Sequence, residues 1–104
     1  MARLVWADPA LEDVDEIAEY IALDDEQAAR NLVKRIFASI ERLRDFPESG
    51  RTPPELGRSR YRELVVGPCR IFYRVDGDKV LVLHVMRSER MLRNFILSDR
   101  EERE

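Results

Sequence analysis

The amino-acid sequence predicts an α+β fold in which an N-terminal strand and an antiparallel helix hairpin pack on an antiparallel β-sheet. The first observation is three runs rich in Val, Ile, Tyr and Phe within residues 62–87, because these residue types favour strands. The second is the Gly67-Pro68 and Asp76-Gly77 pairs that separate the runs, which are typical of tight hairpin turns. The third is apolar spacing typical of two helices in the N-terminal half. A chain of 104 residues supports one domain, residues 1–104, with one modest core.

The first two elements are predicted to be a strand over residues 2–6 and a helix for which Asp8 is the N-cap. Asp at the N-cap with Pro9 at the first helical position is a typical start signal. Acidic residues then occupy one face of the helix, and their place in the first turns suits the helix macrodipole. The opposite, apolar face consists of Leu11, Val14, Ile17, Ala18 and Ile21.

A second, longer helix is predicted to start after Asp24 and to end before Pro47. Asp24 as N-cap places Gln27 at the third helical position, which is the spacing of a capping box. Pro47 disfavours helical geometry in the residue before it. The apolar stripe consists of Ala28, Ala29, Leu32, Val33, Ile36, Phe37, Ile40 and Leu43. Only two or three residues separate the helices, which predicts an antiparallel hairpin.

Residues 47–60 lack periodicity and are predicted to form a loop that is longer than most connections. This loop either has a functional role or simply connects the helices to the sheet by crossing it. In the meander that follows, alternation predicts the two faces of each strand. One face of the middle strand carries Ile71, Tyr73 and Val75, and the other carries Arg70, Phe72 and Arg74. The two faces of the last strand are predicted to carry Val80, Val82, His84 and Met86 on one side and Leu81, Leu83, Val85 and Arg87 on the other.

The C-terminal segment is predicted to cover part of the second sheet face. Ser88 is expected to cap a short helix, followed by a polar tail over residues 99–104. The apolar side of this helix is expected to consist of Met91, Leu92, Phe95 and Ile96.

Composition limits the chemistry. Cys69 is the single cysteine and is predicted to be a small buried hydrophobe, and a reducing cytoplasm is the expected location. His84 is the single histidine, and no Cys/His pair has ligand spacing, so neither a metal site nor a cofactor is predicted. No apolar run approaches the roughly 20 residues needed to span a bilayer, so no membrane association is expected.

The charge is unevenly distributed along the chain. Residues 1–50 carry a net charge of −6 and residues 51–100 a net charge of +5, and sixteen of the eighteen basic residues are arginine. Arginine suits bidentate pairing with carboxylate or phosphate. The C-terminal arginines are therefore interpreted either as a solvated surface or as a surface for an anionic partner, which is an acidic protein segment or a nucleic acid.

Six short motifs resemble one family in their order and spacing. They are residues 10–21 (ALEDVDEIAEYI), 47–51 (PESGR), 54–56 (PEL), 61–64 (YREL), 70–74 (RIFYR) and 84–87 (HVMR). Across nearly the whole chain they resemble the RelE/ParE superfamily of bacterial toxins from toxin–antitoxin pairs. The resemblance implies a small cytoplasmic toxin that a cognate antitoxin holds inactive. It does not choose the target, because the superfamily includes two activities.

One branch, resembling RelE, cuts messenger RNA on the ribosome with several basic residues and usually a C-terminal Tyr or His. Arg70 matches the strand arginine of that branch, and Arg87, Ser88 and Arg90 fall where it has basic residues. Asn94 stands where its terminal Tyr would fall, and Asn is neither a general acid nor a general base. This departure and the acidic net charge count against RNA cleavage, which remains the alternative with Arg70, Arg87 and Arg90 as catalytic candidates.

The other branch, resembling ParE, poisons DNA gyrase and has no catalytic residues of its own. The acidic helical half and the PESGR and HVMR motifs favour this branch, so a binding protein is preferred to an enzyme. Arg70 is then expected to pair with Glu63 or with an acid of the tail, and His84 to be a hydrogen-bonded sheet residue. A third possibility is an interaction module that has lost toxicity.

The antitoxin is expected to be acidic and partly apolar and to fold on the basic C-terminal half. The candidate residues for binding the antitoxin or the target are Arg58, Arg60, Arg70, Arg74, Arg87, Arg90 and Arg93.

Overall fold

The computed structural model describes residues 1–101, apart from the side chain of Asn94. The elements are β1 (Arg3–Trp6), α1 (Asp8–Ala22), α2 (Glu26–Glu41), β2 (Tyr61–Val66), β3 (Cys69–Asp76), β4 (Lys79–Arg87) and α3 (Asn94–Glu101). Single turns of 3-10 helix lie at Arg42–Arg44, after α2, and at Pro54–Leu56, within the long loop. The predicted α+β fold class is confirmed.

Four strands form one sheet in the order β1-β4-β3-β2. The last three strands form the predicted antiparallel meander, whose turns contain Gly67 and Gly77 with φ of 56° and 60°. Glycine adopts this left-handed backbone at little cost, which is why it is the usual residue in such turns. β1 lies at an edge and pairs in parallel with β4. The sheet is therefore mixed rather than wholly antiparallel.

A bulge in β4 changes the predicted faces of the last strand. Phe72 lies opposite His84, but Tyr73 lies opposite Val82, so Leu83 is an extra residue in the pairing. An extra residue shifts the alternation by one, and Val82 therefore shares the face of Tyr73 rather than that of His84. The predicted common face of Val82 and His84 is wrong.

Helix α1 begins one residue earlier than predicted. Ala7 is the N-cap, Asp8 is already helical, and no side chain caps the helix. The Ala7 amide donates to the Val82 carbonyl at 2.9 Å, so β1 leads directly into the helix without a capping turn. Asp8 as N-cap is therefore wrong, although its charge still lies in the first turn, where the macrodipole favours it.

Helix α2 is capped by Asp25 rather than by Asp24. The amides of both aspartates donate to the Ile21 carbonyl, at 3.1 and 2.9 Å, so Asp24 still belongs to the last turn of α1. Asp25 is extended, with φ of −155°, and its carboxylate accepts from the Ala28 amide at 3.1 Å. The predicted capping box is wrong, because the Gln27 amide group lies one position earlier in the helix than a box requires.

The helix hairpin and the sheet enclose one apolar core. Most of the predicted stripe residues are buried or partly buried, but Leu11, Ala28 and Phe37 are exposed. The core includes Ala10, Val14, Leu32, Ile36, Ile40, Leu43, Ile71, Val80, Val82 and Val85. Trp6 packs at its edge against Phe37, with ring centroids 5.1 Å apart.

The C-terminal helix begins at Asn94, five residues later than a cap at Ser88 predicts. The Ser88 amide donates to the Pro68 carbonyl at 2.7 Å, which continues the strand pairing and removes Ser88 from any helix cap. Leu92 and Leu97 are buried, whereas Met91 and Phe95 are 80% and 61% exposed, contrary to the predicted apolar side. Residues 99–101 are helical rather than a tail, and residues 102–104 lie outside the described residues. Within residues 1–101, no helix has the length and apolarity needed to cross a bilayer.

Candidate functional site

Arg70, in the middle of the meander, holds two glutamates with its guanidinium group. Its two Nη atoms donate to the two carboxylate oxygens of Glu55, both at 2.6 Å. Its Nε and Nη2 donate to Glu63 at 2.8 and 3.1 Å. Cζ of Arg70 also lies 4.9 Å from the ring centre of Phe72. The predicted pairing with Glu63 is confirmed, whereas the second acid comes from the long loop and not from the tail.

The electrostatics of this Arg70 cluster (Arg70, Glu55 and Glu63) follow from these bonds. The hydrogen bonds from Arg70 hold the pKa of the Glu55 carboxyl at about 2, well below its usual 4.5. The Leu92 amide donates to the same carboxylate at 3.2 Å. Hydrogen bonds to Glu55 and then Glu63 raise the pKa of Arg70 further above its already high value. The cluster therefore joins three segments: the sheet, the long loop and the chain after β4.

The start of the long loop is fixed independently of Glu55. Arg51 and Glu63 exchange two backbone hydrogen bonds, at 3.0 and 2.7 Å. The Tyr73 hydroxyl accepts from the Gly50 amide at 2.9 Å and donates to the Pro47 carbonyl at 2.8 Å. A Cβ at Gly50 would lie 2.6 Å from that hydroxyl oxygen, so the packing requires glycine. The PESGR motif is thus explained by its packing against β3.

A cavity of about 300 Å³ opens beside the Arg70 cluster. Its wall combines cationic, hydroxyl and apolar groups. It is lined by Arg51, Pro54, Glu55, Val65, Arg70 and Ser88. The guanidinium of Arg70 lines this cavity together with the Glu55 carboxylate to which it is bonded.

Two of the other predicted binding arginines, Arg60 and Arg74, are paired with the C-terminal helix. Arg60 Nη2 and Arg74 Nη1 donate to Glu101, at 3.0 and 2.6 Å. Arg74 also approaches Asp76 at 3.5 Å. Both guanidinium groups therefore hold α3 against the meander; the side chain of Arg74 is 22% exposed, whereas that of Arg60 is 58% exposed and, among residues 1–101, bonds only through Nη2.

The last four predicted arginines lie nearer to solvent. Arg87 pairs with Glu89 at 2.9 Å, and its Cζ lies 5.1 Å from the ring centre of the exposed Tyr20. Three others are exposed, and among residues 1–101 no carboxylate lies within ion-pair distance of them: Arg58, Arg90 and Arg93. Of the seven arginines predicted from the sequence, these three keep their charge available.

A second buried cluster connects α1, β4 and α3 through Asp13, His84 and Arg100. The Asp13 carboxylate lies 2.8 Å from His84 Nδ1 and accepts from the Val85 amide at 3.0 Å. Arg100 donates to Asp13 and to the Leu83 carbonyl. Burial acts to raise the pKa of Asp13, but these hydrogen bonds outweigh it and the pKa is lowered. His84 is also stacked on Phe72, with centroids 5.7 Å apart, so the expectation of a hydrogen-bonded sheet residue is confirmed.

Sequence reasoning missed Glu55, Asp13 and Arg100. Glu55 belongs to the quoted PEL motif, but nothing in a single sequence indicates that it reaches a strand arginine 15 positions away. Asp13 is one of several acids on α1, and the helix macrodipole had already explained much of this acidic cluster. Arg100 falls in the segment that was predicted to be a polar tail. Cys69 is buried as predicted, and burial raises the pKa of its thiol.

Comparison with known proteins gives a consistent family. Residues 4–92 match the family described as "ParE toxin of type II toxin-antitoxin system, parDE". The chain is 39% identical over 84 residues to "Putative toxin Y4kP" of Sinorhizobium fredii, covering 81% of this chain and 85% of that protein. It is 34% identical over 89 residues to "Toxin RelE2" of Caulobacter vibrioides, covering 84% and 92% respectively.

A solved structure shows the same fold. The chain matches a protein of the "Chromosomal ParDE TA system from P. aeruginosa" with a TM-score of 0.71 and 26% sequence identity. The match covers 86% of this chain and 98% of the other.

Proposed function

Because this chain belongs to the ParE family of toxins from type II toxin–antitoxin systems, we propose that it arrests bacterial growth by poisoning DNA gyrase. It acts by binding rather than by catalysis, and a cognate antitoxin in the same cytoplasm neutralises it. The observation that favours gyrase over messenger RNA as the target is that two carboxylates, those of Glu55 and Glu63, are already bonded to Arg70.

An RNA-cleaving site needs cationic groups that are free to meet a phosphate in its transition state. Arg70 would supply this charge in the RNase alternative, but both edges of its guanidinium are bonded to glutamates. Phosphate would have to displace a bidentate carboxylate at 2.6 Å. Even if Glu55 left, Arg70 would still be bonded to the buried carboxylate of Glu63, which disfavours a doubly charged phosphate at this position.

RNA cleavage also needs groups that carry protons to and from the reacting oxygens. His84 is 8% exposed and is bonded to Asp13. The Tyr73 hydroxyl is bonded to two backbone groups of the long loop, and burial raises its pKa. Neither group is free to meet a 2′-hydroxyl.

The RNase alternative keeps one specific observation in its favour. Tyr20 is 62% exposed and lies under the guanidinium of Arg87, so a phenol and a cation are adjacent on the surface. If the chain cleaves message, Tyr20 joins Arg70, Arg87 and Arg90 as a candidate for the chemistry.

Gyrase poisoning requires no reactive group in the toxin. A protein that binds one state of the enzyme more tightly than another shifts their populations by that difference in affinity. A toxin that prefers the gyrase–DNA cleavage intermediate therefore accumulates broken DNA through contacts alone.

The antitoxin surface is proposed to include the chain between β4 and α3. Arg90 and Arg93 are exposed there without a carboxylate partner in the described residues, beside the exposed Met91 and Phe95. Cationic and apolar groups side by side suit an acidic, partly apolar segment that orders on binding. Arg58 adds a further exposed charge from the long loop.

The test uses purified chain with gyrase, ATP and supercoiled plasmid, and in parallel with translating ribosomes and message. We expect cleaved plasmid to accumulate, intact message, and loss of the effect when the adjacent-gene antitoxin is added first. Message cleavage without any effect on gyrase would establish the RNase instead. Antitoxin binding with neither effect and no growth arrest would indicate an interaction module without toxicity.

A further inference from the structure

We propose that Glu55 is the resident occupant of a carboxylate-binding site on Arg70, and that an acidic side chain of a protein partner exchanges with it. The exchange would occur at the cavity beside the Arg70 cluster, which no part of the proposed function requires. Only the identity of the partner as the antitoxin rests on the proposed function.

The two carboxylates on Arg70 differ in how firmly they are held. Glu63 lies within β2, its side chain is 0% exposed, and its backbone is bonded to Arg51 on the side away from β3. Glu55 lies on a single 3-10 turn and its side chain is 16% exposed. Within the described residues, no backbone amide or carbonyl from 52 to 58 bonds to the helices or the sheet. Glu55 is therefore the carboxylate that can leave.

The geometry around Glu55 is that of an anion site. Arg70 presents two Nη donors to two oxygens, and the Leu92 amide supplies a third donor to one of them. Arg51 and Ser88 line the same cavity of about 300 Å³. If the Glu55 side chain turns outwards, these donors face the cavity and Arg70 is left with Glu63 alone.

Charge and shape favour a carboxylate over a phosphate. Without Glu55, the site holds two arginines, Arg51 and Arg70, and one glutamate, Glu63, so a single negative charge balances it. The bidentate Nη pair matches the two oxygens of a planar carboxylate. The pKa of about 2 for the Glu55 carboxyl shows how strongly the site favours the anion. An Asp or Glu side chain of a partner meets all three conditions.

The mechanism that follows is a competition. Glu55 lowers the apparent affinity of an external carboxylate, because the site is available only in the fraction of molecules in which Glu55 has left it. Removal of the internal carboxylate should therefore create measurable affinity for a small one.

The experiment compares thermal unfolding of Glu55→Ala in sodium acetate and in sodium chloride at equal ionic strength and pH 7. The matched control is Glu48→Ala, which removes one exposed charge from the same loop. We expect acetate to raise the Tm of Glu55→Ala by about 4 °C more than chloride, the shift for a ligand at several times its Kd. The wild type and Glu48→Ala should respond equally to the two salts.

A second readout locates the binding. In Glu55→Ala, acetate should shift the NMR resonances of the Leu92 amide and the Arg70 Nε–H, while these resonances of the wild type stay unchanged. If Glu55→Ala folds in neither salt, both measurements are made on Glu55→Ser.

The proposal is overturned if acetate does no more than chloride, or if the Leu92 amide does not respond. Inorganic phosphate acting more strongly than acetate would overturn the carboxylate assignment and indicate a nucleic-acid phosphate instead. None of these measurements involves gyrase or antitoxin, so failure here is distinct from failure of the proposed function. If the partner is the antitoxin, Glu55→Ala should also bind it more tightly than Glu48→Ala does.

Discussion

Seven arginines of the C-terminal half fall into two groups that differ in what their guanidinium groups contact. The paired group is bonded to carboxylates from distant segments: Arg60, Arg70, Arg74 and Arg100. The exposed group has no carboxylate within ion-pair distance among residues 1–101: Arg58, Arg90 and Arg93. The excess of basic residues in this half therefore consists both of arginines that form internal ion pairs and of arginines that face solvent. The paired group ties the long loop and α3 to the sheet, whereas the exposed group offers charge from which no internal carboxylate has to be displaced.

The difference is physical rather than compositional. A guanidinium with two carboxylates is locally neutral or negative, and its removal strands buried charge. Removing a solvated guanidinium changes the free energy of unfolding little. The group nevertheless contributes to the electrostatic field that an approaching partner meets. Replacing an arginine of the paired group should therefore lower stability more, and replacing arginines of the exposed group should lower the association rate more.

The largest effect is expected from Arg70→Ala. The variant removes the hydrogen-bonded counter-charge of Glu55 and of the buried Glu63, which among the described residues keeps only Arg51, at 3.4 Å. Breaking a buried pair by removing one partner costs about 3–5 kcal/mol in the free energy of unfolding. Urea unfolding at pH 7 measures the loss. Arg90→Ala is the matched control from the exposed group and should change stability by no more than about 0.5 kcal/mol. Equal losses in the two variants would remove the distinction between the groups.

A smaller effect is expected from acid. The pKa of the Glu55 carboxyl is about 2 in the folded chain and 4.5 as a reference, so the folded state holds fewer protons between these pH values. Its contribution to stability is complete above pH 4.5 and is lost as pH falls towards 2. Glu55→Gln should therefore lose less stability than the wild type over this range, in buffers free of carboxylates.

Glu48→Gln is the control for the acid series, since Glu48 is exposed on the same loop. The stability of Glu48→Gln should fall with pH as that of the wild type does. Asp13, whose pKa is also lowered, leaves part of the acid sensitivity in every variant. Parallel curves for Glu55→Gln and the wild type would mean that Glu55 contributes nothing through Arg70.

The elements were predictable because each has a local cause. Apolar spacing gives α1 and α2, and the Gly67 and Gly77 turns require φ values that glycine adopts easily. Each cap was predicted one residue away from its place, Asp8 one residue late and Asp24 one residue early, because hydrogen bonds to Val82 and Ile21 decide where the helices begin. Those bonds belong to tertiary structure and leave no local pattern.

The site was predictable only in part, for the same reason. Arg70 and Glu63 lie on neighbouring strands of one hairpin, so their pairing follows from register. Glu55 and Arg100 reach their partners from the loop and the C-terminal helix. Nothing in a single sequence fixes such contacts. The Leu83 bulge likewise has no composition signal, yet it decides which face His84 shares.

The smallest effect on stability, and the largest on association, is expected from replacing the exposed group together. The triple variant Arg58→Ala, Arg90→Ala and Arg93→Ala should keep the free energy of unfolding within about 0.5 kcal/mol per site. Its association rate with the antitoxin should fall by about tenfold or more at low salt, because the steering charge is lost. Stopped-flow mixing at several salt concentrations measures the rate, and the difference should shrink as salt screens the field.

The matched control replaces three basic residues of the N-terminal half that are also exposed: Arg3, Lys34 and Arg42. It changes the net charge by the same amount, so any effect of overall charge appears in both triple variants. If steering comes from the Arg58, Arg90 and Arg93 surface, only the first variant slows strongly. Equal slowing would mean that the antitoxin responds to net charge alone. Unchanged rates in both would place the antitoxin surface elsewhere on the chain.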